Sequence, residues 1–181
     1  MQSQIGTRYL WLPVSIANYL TAVKRKKVAV VELSEKKALE EMVRYFKQDI
    51  RDGEYFDLFG VRYYPYYKEK LLPKLLKEKY NYIIFDGLKI FGNRRVDLSD
   101  YDKKLLVGSL KIWEAAEYKE CIEQLLADGR REEYFLLAEY FERREGNYFK
   151  KEINNSFIQL PAGLNPFRIR RAEFYFFETF L

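Results

Sequence analysis

Apolar residues recur along this chain in two rhythms, one helical and one in short unbroken runs. Val14, Ala17, Leu20 and Ala22 follow Pro13 at helical spacing. Pro13 suits a first turn, where its missing N–H has no partner to lose, and the pattern predicts a helix over residues 13–24. Lys24, Arg25, Lys26 and Lys27 close it, as cations complement the negative end of a helix dipole. Val28, Ala29, Val30 and Val31 form a continuous apolar run rich in β-branched residues, the mark of a parallel strand buried on both faces. Ser34 is suited to cap a second helix, whose stripe of Ala38, Leu39, Met42, Val43, Phe46 and Ile50 runs until Asp52 and Gly53. Residues 55–58 and 61–64 flank Phe59 and Gly60 and predict a tight hairpin at a sheet edge within 54–65, closed by Pro65.

The second half repeats the alternation. Leu71, Leu72, Leu75 and Leu76 predict a short helix around Pro73, and Tyr82, Ile83, Ile84 and Phe85 a strand. Residues 87–102, rich in Gly, Asn, Arg and Asp, read as a loop. Leu105, Leu106 and Val107 make a buried strand that ends at Gly108 and Ser109. A helix follows from near Trp113, with Ala116, Tyr118, Cys121, Ile122, Leu125 and Leu126 as its stripe and Asp128 and Gly129 as its stop. Residues 134–138 and 156–160 are strands separated by the charged stretch 142–152, and 170–181 is a terminal helix. Helices alternating with short buried strands predict one α/β domain over residues 1–181, a mostly parallel sheet covered by helices on both faces.

Composition narrows the chemistry. With 181 residues, 48% hydrophobic and 33% charged, the chain has the balance of a folded soluble protein. No segment approaches the ~18 to 20 apolar residues of a membrane span. Residues 1–7 lack the basic stretch and apolar core of a secretory signal, and the one cysteine, Cys121, has no internal partner; the expected compartment is the cytoplasm. The count of zero histidines excludes Ser-His, Cys-His and His-zinc chemistry outright. A net charge of +5 is ordinary for solubility and only weakly favours an anionic partner. The 16 Tyr and 14 Phe, taken with the surplus of cations, raise single-stranded nucleic-acid binding as an alternative, but helix and strand spacing assigns most of them to packing. The exception is Tyr63, Tyr64, Tyr66 and Tyr67 around Pro65, beside Lys68 and Lys70. That cluster fits an interaction surface, for protein or nucleic acid, or else the partly buried wall of the hairpin.

Four segments in this order resemble the ParA and MinD type of partition ATPase, a P-loop NTPase family. Val14-Ser-Ile-Ala-Asn-Tyr-Leu20 followed by Lys26-Lys-Val-Ala-Val-Val-Glu-Leu33 is similar to the helix after the phosphate loop and the next parallel strand. Tyr82-Ile-Ile-Phe-Asp86-Gly87 is similar to the Walker B strand. Leu105-Leu-Val-Gly-Ser109 leading to Trp113, and Leu160-Pro161 with Asn165-Pro-Phe167, resemble later strands and the closing helix. The resemblance implies that Asp86 would hold a magnesium-bound water beside a nucleotide. Taken alone, Asp86 and Glu32 are polar strand ends that accept local N–H bonds, and no third ligand for a cation is legible.

The departures fall where the family binds phosphate. A P-loop needs glycines, a run of N–H groups, a Lys on the phosphates and a Ser or Thr on magnesium. The matching segment, Gly6-Thr-Arg-Tyr-Leu-Trp-Leu-Pro13, has one glycine and bulky side chains, and only Arg8 stands in for the cation. Gly6, Thr7, Arg8, Asp86 and Gly87 are therefore vestigial positions of a degenerate Walker A and Walker B. Only five residues precede Gly6, so the family's first strand is expected either to be lost or to be rebuilt over residues 9–12. The expectation is a pseudoenzyme of this fold with no catalytic residue, cofactor or metal, acting through a protein partner that could include a second copy of itself. The alternatives are an ATPase-like enzyme that still binds a nucleotide or phosphorylated ligand, and a basic nucleic-acid-binding module.

Overall fold

In the computed structural model, which describes residues 11–33, 37–68, 70–87, 101–126, 134–139, 141–153, 156–161, 165–179 and 181, the apolar run at 28–31 is strand β1, Val28–Glu32, buried at all five positions. It lies inside a four-stranded sheet of order β2-β3-β1-β4, whose other strands are β2, Phe56–Leu58, β3, Val61–Tyr64, and β4, Tyr82–Asp86. β1 pairs in parallel with β3 and β4, and β2 adds antiparallel at the edge. Successive strand side chains point to opposite faces. Ala29 and Val31 accordingly share a core with Leu71 and Leu75 of helix α3, Leu71–Lys77. Helix α1, Trp11–Ala22, also packs on β1, β3 and β4 and is buried along most of its length.

This sheet belongs to the first of two compact units, residues 1–89 with 164–177. Helix α6, Arg171–Glu178, brings Phe174 and Phe177 against Tyr19 of α1 at 5.9 and 5.0 Å between ring centroids. Tyr19, Tyr63, Tyr64 and Phe56 are among its largest fully buried side chains.

The second unit, residues 90–163 with 178–181, holds a parallel sheet of order β5-β6-β7: β5, Lys104–Gly108, β6, Tyr134–Ala138, and β7, Phe157–Gln159. Helix α4, Ile112–Leu126, joins β5 to β6, and α5, Arg143–Ile153, joins β6 to β7. Leu106, Tyr118, Ile122, Leu136 and Ile153 form its core with Cys121, whose thiol burial and the nearby Glu117 and Glu120 push up to about 12. The Tyr118 hydroxyl lies 2.9 Å from the Leu106 carbonyl oxygen and 2.8 Å from that of Leu137, so one side chain ties β5 to β6. Its ring also covers Gly108: a Cβ there would sit 2.2 Å from Tyr118 Cγ.

The α/β class, the parallel pairing and the edge hairpin match the sequence reading, and the differences have local causes. Trp11 and Leu12, expected in a strand rebuilt over 9–12, are the first two residues of α1; residues 9 and 10 lie outside the described residues. The second helix, α2, Ala38–Tyr45, stops well before Gly53. Lys47 turns left-handed at φ 49°, and Lys47 N–H and Gln48 N–H donate to the Arg44 and Val43 carbonyls, a Schellman ending built on lysine instead of glycine. The charged stretch 142–152 holds helix α5. The Glu145 carboxylate accepts the Glu142 N–H at 2.8 Å, while Phe149 and Ile153 turn inward. Among the described residues no helix is long and apolar enough to cross a membrane.

Candidate functional site at the carboxyl ends of the first sheet

Parallel α/β sheets present their strand carboxyl ends to ligands, and here the register sets Glu32 of β1 directly beside Asp86 of β4. The Leu33 N–H donates to the Asp86 carbonyl at 2.8 Å and carries the pairing one residue further.

Glu32 is only 2% exposed, and both of its carboxylate oxygens are engaged. Oε1 accepts the Ala38 N–H at 2.6 Å and Oε2 the Leu39 N–H at 3.0 Å. These are amides of the first turn of α2, whose N-cap residue, Lys37, sits at φ 54° and makes no side-chain cap. Glu32 therefore does from the neighbouring strand what a Ser or Asp does at an ordinary N-cap. Burial raises its carboxyl above the usual range, while the two amides pull it back.

Asp86 is held differently. Among the described residues no N–H or cation faces its carboxylate, and burial, together with the Glu32 charge, pushes it up to about 6. Gly87 follows at φ 88°, a backbone turn that favours glycine, and takes the chain off the strand. The pair thus supplies one engaged carboxylate and one that takes up a proton near neutral pH. Among the described residues no group of three or more His, Cys, Asp or Glu is placed to hold a metal ion. Since Mg²⁺ is normally held by one or two carboxylates together with substrate phosphates, Asp86 alone makes an incomplete shell. Gly6, Thr7 and Arg8, the remaining vestigial positions, lie outside the described residues.

The tyrosine cluster is divided by the sheet. Tyr63 and Tyr64, read either as part of an interaction surface or as the partly buried wall of the hairpin, are core residues at 0% exposure, because adjacent positions on β3 face opposite sides and both sides are covered. Tyr63 stacks on Phe56 at 5.1 Å, and the Tyr64 hydroxyl lies 3.1 Å from that of Tyr80. Tyr66 is half-buried, while Tyr67, Lys68 and Lys70 are exposed.

A second aromatic group in the same unit went unnoticed in the sequence. Phe46, Phe59 and Phe167 form a triangle with centroids 6.1, 5.2 and 5.3 Å apart, and Tyr45 adjoins Phe46 at 5.0 Å. Tyr45 is 81% exposed and Phe59 60%. Phe59 and Gly60 form the two-residue tip of the hairpin, at φ 50° and 80°. A turn with both φ values positive favours Asn-Gly, and a bulky side chain there is strained. The sequence located the hairpin, but Phe46 belonged to an apolar helical stripe and gave no sign of reaching Phe167.

No protein-family model and no curated protein sequence matches the chain. Solved structures do. A MinC:MinD cell division protein complex of Aquifex aeolicus superposes with a TM-score of 0.53 at 15% identity, over 88% of this chain and 78% of the other. MinD cell division protein of Aquifex aeolicus gives a TM-score of 0.50 at 14% identity, over 88% and 79%. Identity this low speaks to architecture alone, and the strands, crossovers and helices described above make up a MinD-like α/β fold.

Proposed function

We propose that this chain is a non-catalytic MinD-like protein that acts by binding another protein, as an adaptor or regulatory partner. The observation that carries the reading is the patch of Tyr45, Phe46, Phe59 and Phe167. Leaving a large ring in water forgoes about 1.5–3 kcal/mol of burial, and a non-glycine in left-handed backbone costs about 1–2 kcal/mol more. A partner that covers the patch recovers the first amount, and Tyr and Phe are enriched at the centres of protein interfaces. The neighbour with a TM-score of 0.53 is a MinD in complex with MinC, which supports a protein partner for this fold.

Two features support the non-catalytic half. Residues 6–13 contain no Gly-Lys-Thr run, and the Glu32 carboxylate is spent on the α2 amides. Calorimetric titration with ATP or GTP and magnesium tests it: no binding heat and no released phosphate are expected, and tight binding with turnover overturns it. A photo-crosslinking residue at Tyr45 tests the interface. A discrete protein adduct that disappears with Phe59→Ala is expected, and adducts indifferent to Phe59 remove the interface reading.

A further inference from the structure

Helix α5 of the second unit presents a surface with a different chemistry. Its inward side is already used: Ile153 is buried, Phe149 packs on the core, and the Phe141 ring lies over Gly146, where a Cβ would come within 2.5 Å of it. Its outward side is basic. Arg143, Arg144, Asn147, Tyr148 and Lys151 line a shallow concavity of about 580 Å³, with Lys150 exposed beside it.

Some exposed cations of the molecule have acidic partners, such as Arg44 with Glu40 and Glu41, Arg51 with Asp57 and Lys111 with Glu139. On α5 the Glu145 carboxylate instead turns back to accept the Glu142 N–H. Among the described residues no carboxylate pairs with Arg143, Arg144, Lys150 or Lys151. From the first to the last of them the helix rises about 12 Å, so four like charges repel one another unless an anion lies across them. Between them stands Tyr148, 58% exposed and braced edge-on against Phe149 at 5.3 Å.

The partner chemistry follows from that combination. A membrane surface is disfavoured, since the apolar side of α5 is committed to the core and no apolar face is left to enter lipid. A duplex would use the cations but offers no base face to the ring. A single strand uses both, because backbone phosphates meet cations while unstacked bases stack on aromatic rings. We infer that the outward face of α5 binds single-stranded nucleic acid, with Arg143, Arg144 and Lys151 on the phosphates and a base stacked on Tyr148. The site lies in the second unit and does not depend on the aromatic patch of the first.

Fluorescence anisotropy of the full chain tests it, using labelled oligo-dT and oligo-U of about 15 nucleotides and a duplex of equal length. Three neutralised phosphates on a single strand give a log–log salt slope near −2, so affinity falls roughly 20-fold between about 50 and 200 mM salt. Lys151→Gln should lessen that slope by about 0.7. Tyr148→Ala should weaken binding about 5-fold or more with the slope unchanged. Comparison of the two oligomers separates DNA from RNA as the natural strand. No binding at low salt, equal affinity for the duplex, or an unaffected Tyr148→Ala variant would each overturn the assignment. Displacement by polyglutamate at matched charge would assign the face to an acidic polypeptide and overturn it as well.

Discussion

At the carboxyl ends of β1 and β4 two acids, one buried and one half-buried, stand side by side, whereas the matching ends of β5 and β6 are Gly108 and Ala138. In the second unit Glu139, which follows β6, lies 3.5 Å from Lys111, and the edge is closed by Tyr118 pressed onto Gly108. The first edge keeps polarity and bears its electrostatic cost; the second has replaced polarity with close packing. The same parallel architecture can thus end its strands as a place for ions or as a piece of core, and a few residues per strand decide which.

Four substitutions separate these two designs, and the largest effect is expected at the packed edge. Gly108→Ala drives a methyl group into the Tyr118 ring and should destabilise the second unit by about 3 kcal/mol or more. Hydrogen exchange should then show β5 and β6 amides opening while β1 and β4 keep their protection. Glu32→Ala leaves the Ala38 and Leu39 amides without their acceptor. A loss of about 2 kcal/mol is expected in the first unit, read as faster exchange at those two amides and a lower denaturation midpoint.

Asp86→Asn should act in the opposite direction. The folded protein holds this carboxyl at about 6, against 3.8 for an unhindered one, so the native state binds its proton more tightly than the unfolded chain. Ionisation therefore costs stability above pH 6, and the cost fades as pH falls toward the unfolded value. The variant should be more stable than the wild type by about 1–2 kcal/mol at pH 7, with the difference vanishing near pH 4 in parallel denaturant titrations. The smallest effect belongs to the hairpin. Phe59→Asn puts the favoured residue into the left-handed turn and should stabilise the first unit by up to about 1 kcal/mol, while weakening the crosslink to a partner.

The strands were legible because their signal is local: runs such as Val28 to Val31 or Leu105 to Val107 are apolar wherever they are read. What stayed hidden depended on backbone turns that usually need glycine. Arg25, Lys37, Lys47, Asp52, Phe59 and Lys79 all have positive φ, and a reading that stops helices at Gly53 overlooks Lys47. Helix α5 was obscured by its charge and by Gly146, although Phe149 and Ile153 stand one helical turn apart. At the candidate site, the position of Asp86 at a strand end was readable, and so was that of Glu32. That Glu32 caps α2 was not, because the contact joins a strand end to a helix start across residues 34–36. Whether Tyr63 and Tyr64 faced a surface or a buried wall stayed open in the sequence, because burial on both faces of β3 is set by the helices and strands around it, which composition does not specify.

Cys121 is the chain's only thiol and is 5% exposed within the second unit. While that unit stays closed, its sulfur meets no alkylating reagent and is almost wholly protonated at neutral pH; once the unit opens, it becomes an ordinary reactive cysteine. The molecule therefore carries its own clock: the rate at which iodoacetamide consumes the thiol reports how often one half of the chain breathes, with no label added.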